Sequence, residues 1–211
     1  MGTVAIIDYG MGNLHSVAKA VERIAPAFQV EVTADAARVA AADRVVFPGQ
    51  GSMPDCMREL DLRGLRPVVL DAAASKPFLG ICIGLQMLFG HSDEGDVPGL
   101  GVFAGNVARF PGEMFDAAGA RLKVPHMGWN RVYRRQPHPL WEGIPDGDRF
   151  YFVHSYCVQP ANPAMTVAET DHGVRFTSAV GQANIFAVQF HPEKSARAGL
   201  RLLSNFIHWT P

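Results

Sequence analysis

The chain opens on a β-branched apolar run, Thr3 to Tyr9, and changes period at Gly10-Met11-Gly12-Asn13. Beyond that turn Leu14, Val17, Ala18, Val21 and Ile24 recur three and four residues apart. This spacing predicts an amphipathic helix, capped by Asn13 and stopped at Pro26. The alternation then repeats. Phe28 to Val32 reads as a second strand, Asp35 to Ala42 as a short helix, and Arg44 to Phe47 as a third strand closed by Pro48-Gly49-Gln50-Gly51-Ser52. Residues 54–74 read as one helix with Leu60, Leu65, Val69, Leu70 and Ala73 on one side. Strands alternating with helices of this length predict a mostly parallel sheet with helices on both faces.

Pro77 to Gly90 (PFLGICIGLQMLFG) begins as a buried strand at Phe78, Leu79 and Ile81, turns through Gly80-Ile81-Cys82-Ile83-Gly84, and continues as a helix from Leu85 to Phe89. After Gly95 the pattern shortens. Gly101 to Phe110, Arg121 to Arg134, Phe150 to Val158, Met165 to Thr170, Arg175 to Val180 and Asn184 to Phe190 read as short strands separated by Gly, Pro, Asn and Asp. They are expected as antiparallel additions to the sheet. Ser195 is expected to cap a last helix whose apolar face is Gly199, Leu200, Leu203, Phe206 and Ile207. With no linker, repeat or low-complexity segment, residues 1–211 are expected to form one α/β domain.

Composition narrows the class without adding to it. A hydrophobic fraction of 48% and a net charge of −1 are those of a globular chain with no electrostatic case for nucleic acid or an anionic membrane. No apolar run approaches the roughly 20 residues of a spanning helix, and the N-terminus lacks the basic region of a signal peptide. The three cysteines, Cys56, Cys82 and Cys157, are odd in number and form no CxxC pair. A disulfide scaffold is therefore not expected, and a reducing cytoplasm is.

Two stretches carry chemistry. Glycines on both sides of Cys82 suit a sharp strand-to-helix corner, which holds one side chain out above a sheet and aims the first free N–H groups of the helix at it. Such groups favour a thiolate. In Ala187 to Ser195 (AVQFHPEKS), Pro192 holds His191 extended, so His191 and Glu193 point the same way. Glu193 can then accept the Nδ1 proton of His191 and leave Nε2 as a base, which is what a cysteine nucleophile requires. His138, His154 and His172 are expected to be structural. The GxG turn after the first strand invites a dinucleotide, but His15 stands where the third glycine belongs. No spacing of His and Cys suits zinc, so neither metal nor cofactor is expected.

GxCxGxQ at Gly80 to Gln86, PGxG at Pro48 to Gly51 and HPE at His191 to Glu193 resemble the class I (triad) glutamine amidotransferases. The likeness runs from the first strand to the last helix. More narrowly, DYGMGNLHS from Asp8, PGQGSMPDCM from Pro48, PHMGWN from Pro125 and FVHSY from Phe152 are similar to glutaminase subunits of imidazole glycerol phosphate synthases. The resemblance implies a flavodoxin-like fold and a Cys82–His191–Glu193 triad that hydrolyses glutamine through a thioester. It implies an oxyanion held by backbone N–H of Gly49, Gln50 and Gly51 and of Ile83, with Gln86, Glu94, Ser155 and Tyr156 gripping the glutamine. It also implies a heterodimer with a cyclase subunit of TIM-barrel fold, contacted at or near Asn13, Trp129, Tyr151 and Lys194. Many relatives carry Val where this chain has Gln50. Another ammonia-channelling synthase, or a cysteine peptidase on a related sheet, would share parts of this pattern.

Overall fold

The period change after the first apolar run is a physical boundary between strand and helix. In the computed structural model, which describes residues 2–116 and 118–211, β1 (Gly2–Ile7) gives way to α1 (Leu14–Ile24). Asn13 caps that helix by accepting from the Ser16 amide at 3.4 Å. β2 (Phe28–Thr33), α2 (Ala36–Ala41) and β3 (Arg44–Gly49) follow. β3 runs two residues past its expected end, because Pro48 and Gly49 still pair with the neighbouring strand. The single helix expected over 54–74 is two, α3 (Met53–Leu62) and α4 (Arg66–Ser75). The chain breaks at Gly64, whose φ is +67°, and Pro67 restarts it in the first turn, where its missing N–H costs nothing.

β4 (Phe78–Cys82) feeds α5 (Ile83–Met87), which is shorter than the pattern suggested. Phe89, read as helical, opens β5 (Phe89–Ser92), where it is fully buried with its ring 5.6 Å from that of Phe103. The second half then runs β6 (Val97–Pro98), β7 (Phe103–Arg109), β8 (Met114–Phe115), β9 (Arg121–Leu122), β10 (His126–Arg131) and β11 (Tyr133–Arg134). The strand expected over Arg121 to Arg134 is thus three pieces, interrupted first over residues 123–125, where Pro125 has no N–H to donate. β12 (Arg149–His154) and β13 (Tyr156–Pro160) divide another expected strand at Ser155. β14 (Thr166–Asp171), β15 (Arg175–Gln182), β16 (Ile185–Val188) and α6 (Ala196–His208) complete the chain.

The main sheet has the order β2-β1-β3-β4-β16-β15-β13-β7-β5-β6, with β14 paired to β15 and β11. β2 through β16 are parallel neighbours, and β15, β13 and β7 add antiparallel to them, as expected for the second half. β10 and β12 depart from that expectation by forming a separate antiparallel pair. α6 buries Ala198, Gly199, Leu202, Leu203, Phe206 and Ile207, whereas Leu200 is only half-buried. Ser195 makes no side-chain cap. Its hydroxyl donates to the His191 carbonyl at 2.6 Å and accepts from the Tyr151 amide at 2.9 Å.

This order positions the site. β4 is central and wholly buried, which is why it reads as a continuous apolar run. β3 on one side sets Gly49 opposite Cys82, and β16 on the other sets Val188 opposite Ile81. The third-strand loop, the elbow and the segment after β16 therefore meet beyond the carboxyl ends of adjacent parallel strands, where open α/β sheets bind ligands. Among the described residues no helix is long and apolar enough to cross a membrane.

Candidate active site

Cys82 sits at the end of β4 with φ +56° and ψ −111°, a conformation that non-glycine residues rarely adopt. The flanking glycines make it possible. A Cβ at Gly84 would lie 1.9 Å from the Phe47 carbonyl oxygen, and one at Gly80 would lie 2.9 Å from the Ala187 Cβ. The chain can turn sharply only because neither position carries a side chain. The Cys82 side chain, 4% exposed, faces a cavity of about 220 Å³.

His191 lines the same cavity. Its Nδ1 is 2.9 Å from Glu193 Oε1, so the spacing read from the sequence does bring acid and base together. The backbone route differs from the expected one. His191 is extended, but Pro192–Lys194 coils into a 3-10 turn, and that turn delivers the carboxylate. Burial alone would push the imidazole down. The negative charges of a Cys82 thiolate and the Glu193 carboxylate outweigh it and raise His191 to about 10. His191 Nε2 has no partner at bonding distance among the described residues. The arrangement sets an unpartnered His191 Nε2 and the Cys82 side chain on the wall of one cavity.

The residues expected to form the oxyanion loop divide between the cavity and its support. Gln50 and Gly51 line the cavity with Ile83, while Gly49 packs behind them. A Cβ on Gly49 would fall 2.4 Å from the Tyr9 hydroxyl oxygen and 3.0 Å from the Ile83 Cβ. Cys56, on α3, donates its thiol proton to the Gln50 carbonyl at 3.6 Å. Burial raises Cys56 to about 11 and Tyr9 well above its ordinary value, so the loop is backed by neutral groups.

Gln86, Glu94, Ser155 and Tyr156 all reach the cavity wall. Gln86 is 1% exposed, and its Oε1 has no partner among the described residues. Glu94 also accepts from the Met53 amide at 2.8 Å, tying it to the start of α3. Of the histidines expected to be structural, His138 packs on Phe186 and His172 bonds the Lys123 carbonyl. His154 instead lines the cavity, as do Pro125 and Val153. Gln189, absent from the expected site, is fully buried and donates to Cys82 Sγ at 3.8 Å and accepts from Gln86 at 3.0 Å. Its position two residues before His191, hence on the same side of an extended chain, is the signal that could have found it.

The four residues expected at a partner contact are not in the cavity. Trp129 on β10 is 49% exposed and makes an edge contact with Tyr151, its register partner on β12, with centroids 6.1 Å apart. The Tyr151 carbonyl accepts from the His191 amide at 2.9 Å. Asn13 opens α1, and Lys194 lies in the 3-10 turn that packs against this helix. Among the described residues no cluster of His, Cys, Asp and Glu is placed to hold a metal.

The chain as a whole has known relatives. The family model for glutamine amidotransferase class-I matches residues 5–209, and the chain belongs to that family. It is a glutamine amidotransferase enzyme. Within the family it is 72% identical, over the whole of both chains, to the imidazole glycerol phosphate synthase subunit HisH of Aromatoleum aromaticum. It is 70% identical to the subunit of the same name from Dechloromonas aromatica, over 99% of this chain and 97% of that one. Solved structures agree on the fold. A glutamine amidotransferase superposes with a TM-score of 0.72 at 18% identity over 98% of each chain. Another, from Thermotoga maritima, gives 0.60 at 17% identity over 93% of this chain and 78% of that one.

Proposed function

We propose that this chain, as one amidotransferase domain, hydrolyses glutamine with a Cys82–His191–Glu193 triad and hands the ammonia to a cyclase subunit. The partner would be a TIM-barrel cyclase of imidazole glycerol phosphate synthase. It would use the ammonia to make imidazole glycerol phosphate and aminoimidazole carboxamide ribotide, the lyase step of histidine biosynthesis in the cytoplasm. The observation that carries the reading is a buried His191, bonded to Glu193, that shares one small cavity with a strained Cys82.

In this mechanism the Cys82 thiolate attacks the side-chain amide carbon of glutamine. Backbone N–H groups of the Gly49–Gln50–Gly51 loop and of Ile83 hold the oxyanion, each typically worth about 3 kcal/mol of barrier. His191 gives its Nε2 proton to the departing nitrogen, ammonia leaves, and a glutamyl thioester remains. Neutral His191 then takes a proton from water, which cleaves the thioester to glutamate and restores the thiolate. Glu193 keeps the imidazole oriented. Gln86, with its free buried Oε1, and Glu94, Ser155 and Tyr156 grip the substrate. No step needs a metal or cofactor. Ammonia released to water is protonated and lost as a nucleophile, so a contact through Asn13, Trp129, Tyr151 and Lys194 would seal its route to the partner.

The test is Cys82→Ala in the complex with a cyclase subunit and its nucleotide substrate. Glutamine-dependent synthesis is expected to vanish while synthesis fed with ammonium salt at raised pH persists. Loss of both activities would make Cys82 structural and end this assignment.

A further inference from the structure

An unbroken run of hydrogen bonds joins strand β10 to the Cys82 sulfur. Asn130 Nδ2 is 3.1 Å from His126 Nε2, His126 Nδ1 is 2.9 Å from His154 Nε2, and His154 Nδ1 is 2.8 Å from the Tyr156 carbonyl oxygen. That carbonyl also accepts from Gln86 Nε2 at 3.1 Å, and the same amide nitrogen donates to Gln189 Oε1 at 3.0 Å. Gln189 Nε2 finally donates to Cys82 Sγ at 3.8 Å. His126, His154, Gln86 and Gln189 are all buried, with His154 and Gln86 also on the cavity wall.

Only one arrangement of protons satisfies the run. The Tyr156 carbonyl can only accept, so His154 carries its proton on Nδ1 and accepts at Nε2. His126 must then donate from Nδ1 and accept at Nε2 from Asn130. Asn130 cannot turn over, because its Nδ2 also donates to the Asp171 carbonyl at 2.8 Å and its Oδ1 accepts from the Arg131 amide at 2.8 Å. A second proton on either imidazole would set N–H against N–H. Burial pushes both histidines down to about 3, reinforced for each by neighbouring histidines, and this keeps the relay neutral. The far end is fixed in the same sense. Reversing the Gln189 amide would face its nitrogen to the Gln86 nitrogen and its oxygen to the sulfur.

We propose that His126 and His154 are positioning residues for the amidotransferase reaction. They lock the Tyr156 carbonyl, and through Gln86 they hold the Gln189 N–H on the Cys82 thiolate. The inference rests on Cys82 being the nucleophile. It adds Gln189 as a group that touches the reacting sulfur, and it gives the two buried histidines a role outside the triad. The competing explanation is packing alone, since the His126 ring stacks 4.0 Å from His172 and 4.8 Å from Phe152.

The experiment measures alkylation of Cys82 by iodoacetamide at one fixed pH in the full chain, read by mass spectrometry at that residue. His126→Phe keeps a stacking ring but removes the donor, whereas His126→Asn keeps an N–H near the place of Nδ1. Gln189→Leu removes the last link. Gln189→Leu and His126→Phe are each expected to shift the alkylation rate about tenfold, the double variant no further than Gln189→Leu alone, and His126→Asn to restore most of the wild-type rate. A folded His126→Phe that alkylates like wild type, or His126→Asn as perturbed as His126→Phe, would overturn the relay. Nitrogen-15 NMR of the wild-type imidazoles supplies a test that needs no variant. Both histidines are expected as Nδ1–H tautomers, and an Nε2–H tautomer at either refutes the proposal. Neither readout requires glutamine turnover, so a relay that stands in a chain lacking glutaminase activity would sink the triad assignment alone.

Discussion

His191 Nδ1 and Glu193 Oε1 are 2.9 Å apart, and their side chains are 4% and 1% exposed. A carboxylate this well shielded is not screened by solvent, and its pull on the imidazole survives in full. The Glu193→Gln variant should therefore titrate His191 below about 10. The sign of the stability effect follows. A histidine raised from about 6.5 stabilises the fold fully below that value and loses the contribution as pH climbs towards its folded pKa. Urea unfolding should show the gap between wild type and Glu193→Gln widest at about pH 6 and shrinking towards about pH 10.

Cys82 has a left-handed φ of +56°. Glycine meets no such penalty, so Cys82→Gly should be inactive yet as stable as wild type or better by about 1 kcal/mol. Cys82→Val, with a branched Cβ in the same conformation, should lose about 2 kcal/mol or more. Chemical denaturation of the three proteins checks the order.

Gly199 lies where α6 crosses the turn that carries the base. A Cβ there would come within 1.9 Å of the Pro192 carbonyl oxygen and 2.8 Å of the Ser195 Cβ. Gly199→Ala should push the His191–Glu193 turn away from Cys82, at a cost of about 1–3 kcal/mol in stability. Glutamine turnover should fall more than a surface Gly→Ala such as Gly112→Ala, where nothing lies within 4 Å of the added carbon. Steady-state kinetics on both variants distinguishes them.

Trp129 is half exposed, and its neighbour Met127 on the same face of β10 is 63% exposed. Trp129→Ala should change the stability of the isolated chain by about 1 kcal/mol or less. Its association with a cyclase subunit should weaken by about 2 kcal/mol or more, the scale of a buried aromatic anchor. Calorimetry of complex formation measures the second quantity.

The parallel half of the fold was legible because its signals are local. The β1-to-α1 period change, the Asn13 cap and the glycines around Cys82 each act over a few residues. The Cys82 corner and the His191–Glu193 pair were legible for a similar reason, since each is set within a single segment. What the sequence hid depends on contacts made elsewhere. The split between α3 and α4 turned on one left-handed glycine, and Phe89 became a strand residue because Phe103 packs against it. His154 and Gln189 looked ordinary because their hydrogen bonds form only when β12, β16 and the elbow are brought together.

β16 is the strand that completes the middle of the sheet, and 107 residues separate its neighbour Gln189 from Cys82. During synthesis, β1 to β4 emerge and can pair with one another long before β16 exists. Throughout that interval one edge of β4 is open, and its Phe78, Leu79 and Ile81 form an invitation to wrong partners. The growing polypeptide thus carries its most vulnerable seam unsealed until β16 emerges, and that seam is the one that later brings Cys82 and His191 to a single cavity.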